Sequence, residues 1–125
     1  MSTTQFRTCP TTGLKVDLQA QALMKANAVA AVVFLAIGGL FGLSVALTRW
    51  PEVHLLPADW FYLALTAHGL DVLLLWIIFF EIAVLYFASS TLLNSRLAAP
   101  KLGWVAFGLM LGGGLITNVS VLQGE

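Results

Sequence analysis

A histidine followed by a glycine, His68-Gly69, lies inside a long apolar stretch of the sequence. An ionisable residue at membrane depth costs about 2.5 kcal/mol or more when it is charged, so such residues mark functional sites by default. Neutral imidazole is the commonest metal ligand and also binds heme iron, and a glycine beside it allows a flat macrocycle to approach the backbone. The alternative is a histidine that hydrogen-bonds to a neighbouring helix or reaches towards the interface. The residues alone leave both interpretations open.

Two carboxylates follow His68 on the same predicted helix. Asp71 is three residues further on, about −60° around the helix, and therefore shares the face of His68. It could support the histidine or take part in proton transfer, but a polar contact with another helix or with buried water is favoured. Glu81 lies ~220° around the helix and points away from His68. It could pair with a partner helix, remain protonated or belong to a proton route, and a helix-packing contact is favoured.

The composition identifies the chain as a membrane protein. Hydrophobic residues make up 59% of its 125 residues and charged residues only 10%, whereas soluble domains contain about a quarter charged residues. So few charges cannot cover an aqueous surface. The formal net charge is zero, which argues against a nucleic-acid partner and leaves membrane lipid as the surroundings of the chain.

Three apolar stretches are long enough to cross a bilayer, whose hydrocarbon core takes about 20 helical residues. They run over about residues 26–48, 60–88 and 102–122. Inside hydrocarbon every backbone amide must be satisfied within the segment, and three strands cannot close a barrel. We therefore predict an all-α integral membrane fold, with a polar tail at residues 1–24 and a three-span membrane segment at residues 25–125.

The distribution of basic residues predicts the orientation. Five of the six lie in the tail or between the second and third spans, namely Arg7, Lys15, Lys25, Arg96 and Lys101, and the sixth, Arg49, lies between the first and second. Because cytoplasmic loops carry an excess of Lys and Arg, the tail is predicted to be cytoplasmic. The chain then ends outside at Glu125, and His68 lies in the outer third of the membrane.

Other residue types give weaker signals. Cys9 is the only cysteine, so an internal disulfide is excluded, and a free cytoplasmic thiol is favoured over a ligand or redox role. The glycines at Gly38-Gly39, Gly42 and Gly112–Gly114 allow close contact between helices. The sequence contains no nucleophile–base pair, paired-cysteine metal motif, phosphate-binding loop or dinucleotide fingerprint.

The second span and its surroundings resemble a known family. The stretch Leu65-Thr66-Ala67-His68-Gly69 is followed by a long apolar helix, a basic joint and a further span. This order resembles the start of heme–copper oxidase subunit I, more closely the B-type branch, with nitric oxide reductase catalytic subunits as a related family. The end of the third span, Asn118–Glu125, resembles the stretch that leads into an outer loop in B-type enzymes. The similarity covers roughly residues 25–125.

The resemblance implies a specific role for His68. In this family the histidine of the second helix is an axial ligand of the low-spin heme near the outer side of the membrane. His68 is therefore the implied ligand of a b-type heme, with Gly69 beside it. The family has about twelve helices, and its second axial histidine, the ligand of its second heme and those of its copper lie on later helices. The remaining helices of subunit I are thus implied partners, together with a subunit II-like protein through which electrons enter.

The leading hypothesis is an N-terminal fragment or split part of a respiratory terminal oxidase of the cytochrome c oxidase type, in a bacterial or archaeal plasma membrane. The end at Glu125, just past a span, favours a fragment, and the chain alone is expected to have no oxidase activity. Two alternatives stay open. One is a fragment of a nitric oxide reductase, in which His68 has the same role. The other is a non-catalytic accessory or assembly subunit, in which His68 and Glu81 hold helices together.

Overall fold

A computed structural model of the chain describes residues 6–124. Most of this part is formed by three helices, α1 (Leu18–Arg49), α2 (Ala58–Leu92) and α3 (Pro100–Gln123). Each is long and apolar enough to cross a membrane, which confirms the predicted all-α membrane fold with three spans. The first five residues of the predicted tail, and the predicted outer position of Glu125, lie outside the described residues.

The first helix begins earlier than the apolar pattern predicts. It starts at Leu18, about two turns before the predicted start at residue 26. Asp17 explains this start, because its Oδ1 accepts a hydrogen bond of 3.2 Å from the amide of Gln19 and so satisfies one donor of the first turn. The predicted boundary between tail and membrane segment therefore marks where the apolar residues begin, whereas the helix already exists in the more polar stretch before it.

The second helix is not a uniform α-helix. Two stretches of it, Asp71–Leu75 and Phe87–Leu92, are π-helical. A π turn holds more residues than the 3.6 of an α turn, so residues beyond Leu75 do not keep the angular positions predicted from 100° per residue. The direction of Glu81 therefore follows from the structure and not from its spacing to His68.

A short β-hairpin precedes α1, although the sequence analysis predicts no strand there. Its strands β1 (Phe6–Thr8) and β2 (Lys15–Asp17) pair antiparallel, and Gly13 takes a positive φ of 69° in the turn between them. Asp17 Oδ2 accepts a hydrogen bond of 3.0 Å from the amide of Leu97. This bond ties the hairpin to the joint between α2 and α3.

The three helices meet in a small apolar core. Ala30, Ala31 and Phe34 of α1 pack with Phe79 of α2, and the rings of Phe34 and Phe79 stack with their centroids 5.5 Å apart. Gly114 brings α3 close, since a Cβ at this position would lie 3.1 Å from Cζ of Phe34. Most other large apolar side chains of the helices are exposed on the bundle, as expected where the surroundings are lipid or further helices and not water.

Candidate functional site

His68 lies at the contact between α1 and α2, where it is half-buried. Its Nδ1 is 2.8 Å from the backbone carbonyl oxygen of Gly38 on α1. A carbonyl oxygen can only accept, so Nδ1 carries the proton and donates it. In the neutral ring Nε2 is then the unprotonated nitrogen, and within residues 6–124 no hydrogen bond is made to it. The geometry therefore leaves the lone pair of Nε2 available to coordinate a metal ion.

Two glycines of α1, one turn apart, form the surface on which this imidazole rests. A Cβ at Gly42 would lie 2.7 Å from Cε1 and 2.8 Å from Nδ1 of His68, closer than non-bonded atoms come. A Cβ at Gly38 would lie 2.8 Å from Cβ of Asp71 and 2.7 Å from Cγ2 of Val72. We call Gly38 and Gly42 the glycine cradle. The close approach of α1 and α2 that it allows brings the Gly38 carbonyl within reach of His68.

The role of the glycine cradle was missed in the sequence, where these glycines were interpreted only as helix-packing residues. The sequence nevertheless contains a signal for this role. Consecutive spans run antiparallel, and Gly38 and Gly42 are about as far from the end of α1 at Arg49 as His68 is from the start of α2 at Ala58. Matching the depth of the two helices would have placed the glycines beside the histidine.

Asp71 makes a polar contact with the third helix. Its side chain is fully buried, at 0% exposure, and its Oδ1 accepts a hydrogen bond of 2.7 Å from Nδ2 of Asn118. Nδ2 also donates to the carbonyl of Gly114 at 3.2 Å. Within the described part of the chain, Asp71 Oδ2 and Asn118 Oδ1 have no hydrogen-bond partner. Asn118, which the sequence analysis did not single out as a site residue, thus joins α3 to the His68 region through Asp71.

The structure does not bring the remaining candidates into this contact. A Cβ at Gly69 would meet no atom within 4 Å, so the backbone next to His68 borders open space. Glu81 is exposed on the outside of the bundle, away from the contact of α1 with α2. Among residues 6–124 no group of three or more His, Cys, Asp or Glu side chains is placed to hold a metal ion. His68 is therefore not part of a larger cluster of metal-binding side chains within these residues.

Cys9 lies in the hairpin, outside the three helices. It is a free, partly exposed thiol. A hydrogen bond from the Thr12 side chain is the main cause that lowers the pKa of the Cys9 thiol to about 7, with backbone hydrogen bonds from Thr12 and Thr11 and the charge of Arg7 acting in the same direction. A large fraction of this thiol is therefore thiolate at neutral pH.

Comparison with known proteins gives one result for this chain. A family model described as cytochrome c and quinol oxidase polypeptide I matches residues 22–125, which is more than half of the chain. The matched part contains α2, α3, the glycine cradle, His68 and all of α1 except its first four residues. No curated protein and no solved structure matches the chain.

Proposed function

Because the chain belongs to the cytochrome c and quinol oxidase polypeptide I family, we propose that it contributes His68 as one axial ligand of the low-spin heme in a respiratory terminal oxidase. The observation that carries this proposal is the hydrogen bond from Nδ1 of His68 to the carbonyl of Gly38. Histidines that bind metals typically donate their other ring N–H to a carbonyl or carboxylate, which fixes the tautomer and the ring orientation. The arrangement at His68 has this form.

The surroundings of His68 fit a heme on geometric grounds. Nε2 is the nitrogen without a proton, Gly42 lets the ring pack closely against α1, and the open space beside Gly69 gives a flat macrocycle room next to the backbone. When bound, a heme with two axial imidazoles is six-coordinate and transfers electrons without binding oxygen. In this proposal His68 ligates, Gly38 keeps Nδ1 protonated and Gly42 keeps the ring in place.

The proposal assigns only one ligand to this chain. The second axial histidine, and the ligands of the second heme and of copper, belong to further helices of subunit I, and a subunit II-like protein would deliver electrons. The chain is then an N-terminal part of the catalytic subunit, the heme is b-type, and the part alone has no oxidase activity. A nitric oxide reductase would use His68 in the same way, and no described residue separates the two reactions.

A heme titration of the chain in detergent micelles tests the proposal. We expect one heme to bind per chain through a single histidine, and we expect added imidazole to supply the missing axial ligand and convert the absorption spectrum to that of a six-coordinate, low-spin heme. The hydrogen bond of His68 to Gly38 would equally hold two helices together in an accessory subunit without heme. A spectrum identical to that of heme in empty micelles, recorded before imidazole is added, would favour that accessory role.

We also propose that the N-terminal hairpin lies in the cytoplasm of a bacterial or archaeal cell. The hairpin carries Arg7 and Lys15, and Lys25, Arg96 and Lys101 are at the same end of the helices. The opposite end carries Arg49 together with Glu52 and Asp59. This asymmetry supports the positive-inside orientation.

Labelling of Cys9 tests the orientation. As the only cysteine of the chain, it should react with a membrane-impermeant maleimide only after cells are permeabilised. Because its pKa is lowered to about 7, the reaction rate should reach half of its maximum near this pH and level off about one pH unit higher. Thr12→Val removes the hydrogen bond that lowers the pKa of Cys9 most, and it should move the rise of the reaction rate to higher pH. Full labelling of intact cells would reverse the orientation.

A further inference from the structure

A long apolar groove runs between α1 and α3 on the outside of the bundle. It has a volume of about 500 Å³ and begins at Lys25. On α1 it extends to Ile37, and on α3 it is bordered by Phe107, Leu111 and Leu115. The stretch of α1 from Lys25 to Ile37 measures about 18 Å at ~1.5 Å per residue. One leaflet of a bilayer has a hydrocarbon thickness of about 15 Å, half of the ~30 Å core, so the groove has the length of one acyl chain.

The side chains at the groove are suited to a hydrocarbon chain. Transmembrane helices associate through small residues and through polar groups that hydrogen-bond across the contact. Beyond Lys25 the groove is lined only by apolar side chains. The small Ala26 and Ala30 lie among larger ones, of which Val29 is 63% exposed, Val33 49% and Leu115 51%. A flexible hydrocarbon chain fills such a surface without requiring a hydrogen-bond partner.

A cation stands at the mouth of the groove. Lys25 is exposed, and Lys101 lies at the start of α3, at the same end of the bundle. The two helix ends are adjacent, because a Cβ at Gly103 would lie 2.7 Å from Cδ1 of Leu23. Lysines at the membrane interface attract anionic headgroups, and basic pockets between transmembrane helices bind them.

We propose that this groove is a binding site for an anionic phospholipid, with its phosphate at Lys25 and one acyl chain between α1 and α3. The second acyl chain has a place as well. A shorter groove of about 270 Å³, which Lys25 also borders, runs between α1 and α2 along Ala28 and Val84. The two grooves diverge from Lys25 as two chains diverge from one headgroup. The proposal rests on these surfaces and does not require that His68 bind heme.

Native mass spectrometry of the chain released from nanodiscs tests the site. The nanodiscs contain phosphatidylcholine and phosphatidylglycerol in equal amounts, and we expect the chain to retain phosphatidylglycerol preferentially. Lys25→Gln keeps the side-chain stem and removes the charge, and it should lower this preference about fivefold. Lys15→Gln, in β2 and not at the groove, should lower it less.

A second pair of variants tests the position of the acyl chain. Val33→Trp fills the groove and should reduce retention of both phospholipids. Val32→Trp is the matched control, because Val32 is the neighbouring residue of α1, is 64% exposed and does not border the groove. Equal retention by the two tryptophan variants would overturn the groove as the site.

Equal retention of both lipids by the unmodified chain would overturn the recognition of the headgroup, and so would an unchanged preference in Lys25→Gln. Association of the chain into dimers in place of lipid retention would assign the groove to a second copy.

Discussion

Replacing His68 with alanine is expected to lower the affinity of the chain for heme by more than about 100-fold. Removing a group that merely supports a metal ligand costs about 10–100-fold in affinity, so removing the ligand itself costs more. Within residues 6–124 no group of three or more His, Cys, Asp or Glu side chains is placed to take over the binding. The measurement is a heme titration without added imidazole, followed by absorption spectroscopy.

The control for this variant is the other histidine. His54 lies in the turn between α1 and α2, with a positive φ of 44°, and it is exposed. His54→Ala should bind heme like the unmodified chain. Far-ultraviolet circular dichroism of both variants should show the same helix content, since neither histidine is part of the apolar core. If His68→Ala binds heme with unchanged affinity and an unchanged spectrum in the absence of added imidazole, His68 is not the ligand.

Replacing Gly42 with valine is expected to lower the heme affinity about 10–100-fold, the range found when the groups that orient a metal ligand are lost. Its Cβ would lie 2.7 Å from Cε1 of His68, so the imidazole must rotate or α1 and α2 must separate. Either movement disturbs the hydrogen bond from Nδ1 to the Gly38 carbonyl. The same heme titration measures the effect.

Gly39→Val is the matched control for Gly42→Val. Both exchanges place a β-branched residue into the same helix, so their effects on helix propensity are equal. A Cβ at Gly39 would meet no atom within 4 Å, and this variant should therefore bind heme normally. Equal loss of affinity in both variants would show that the helix, and not the glycine cradle, sets the affinity.

Much of the fold could be predicted because hydropathy is a local property. A bilayer requires about 20 apolar residues in a row wherever a helix crosses it, so the three spans are visible without any knowledge of their packing. The ends of the helices could be predicted less well from the sequence. The start of α1 depends on the cap at Asp17, and the same carboxylate reaches Leu97, which is 80 residues away in the chain. Hairpin strands of three residues are also too short to give an alternating pattern.

The candidate site was predicted in part for the same reason. An ionisable residue inside an apolar stretch is conspicuous, so His68, Asp71 and Glu81 were all identified from the sequence. The side chains that surround these three residues could not be identified in the same way. Asp71 meets Asn118 and Glu81 faces outward, and both outcomes depend on how α3 packs and on the π-helical turns of α2. Asn118 has no signal of its own, because one amide near the end of a span is unremarkable.

The sequence by itself thus determined that the chain crosses the membrane as three helices and that His68 is its foremost candidate ligand. Only the tertiary structure decided which nitrogen of His68 carries the proton and which residues hold the ring. The physical reason is that a tautomer is set by a partner across a helix contact, here the carbonyl of Gly38. That contact exists only because Gly38 and Gly42 let α1 and α2 approach each other without side chains between them.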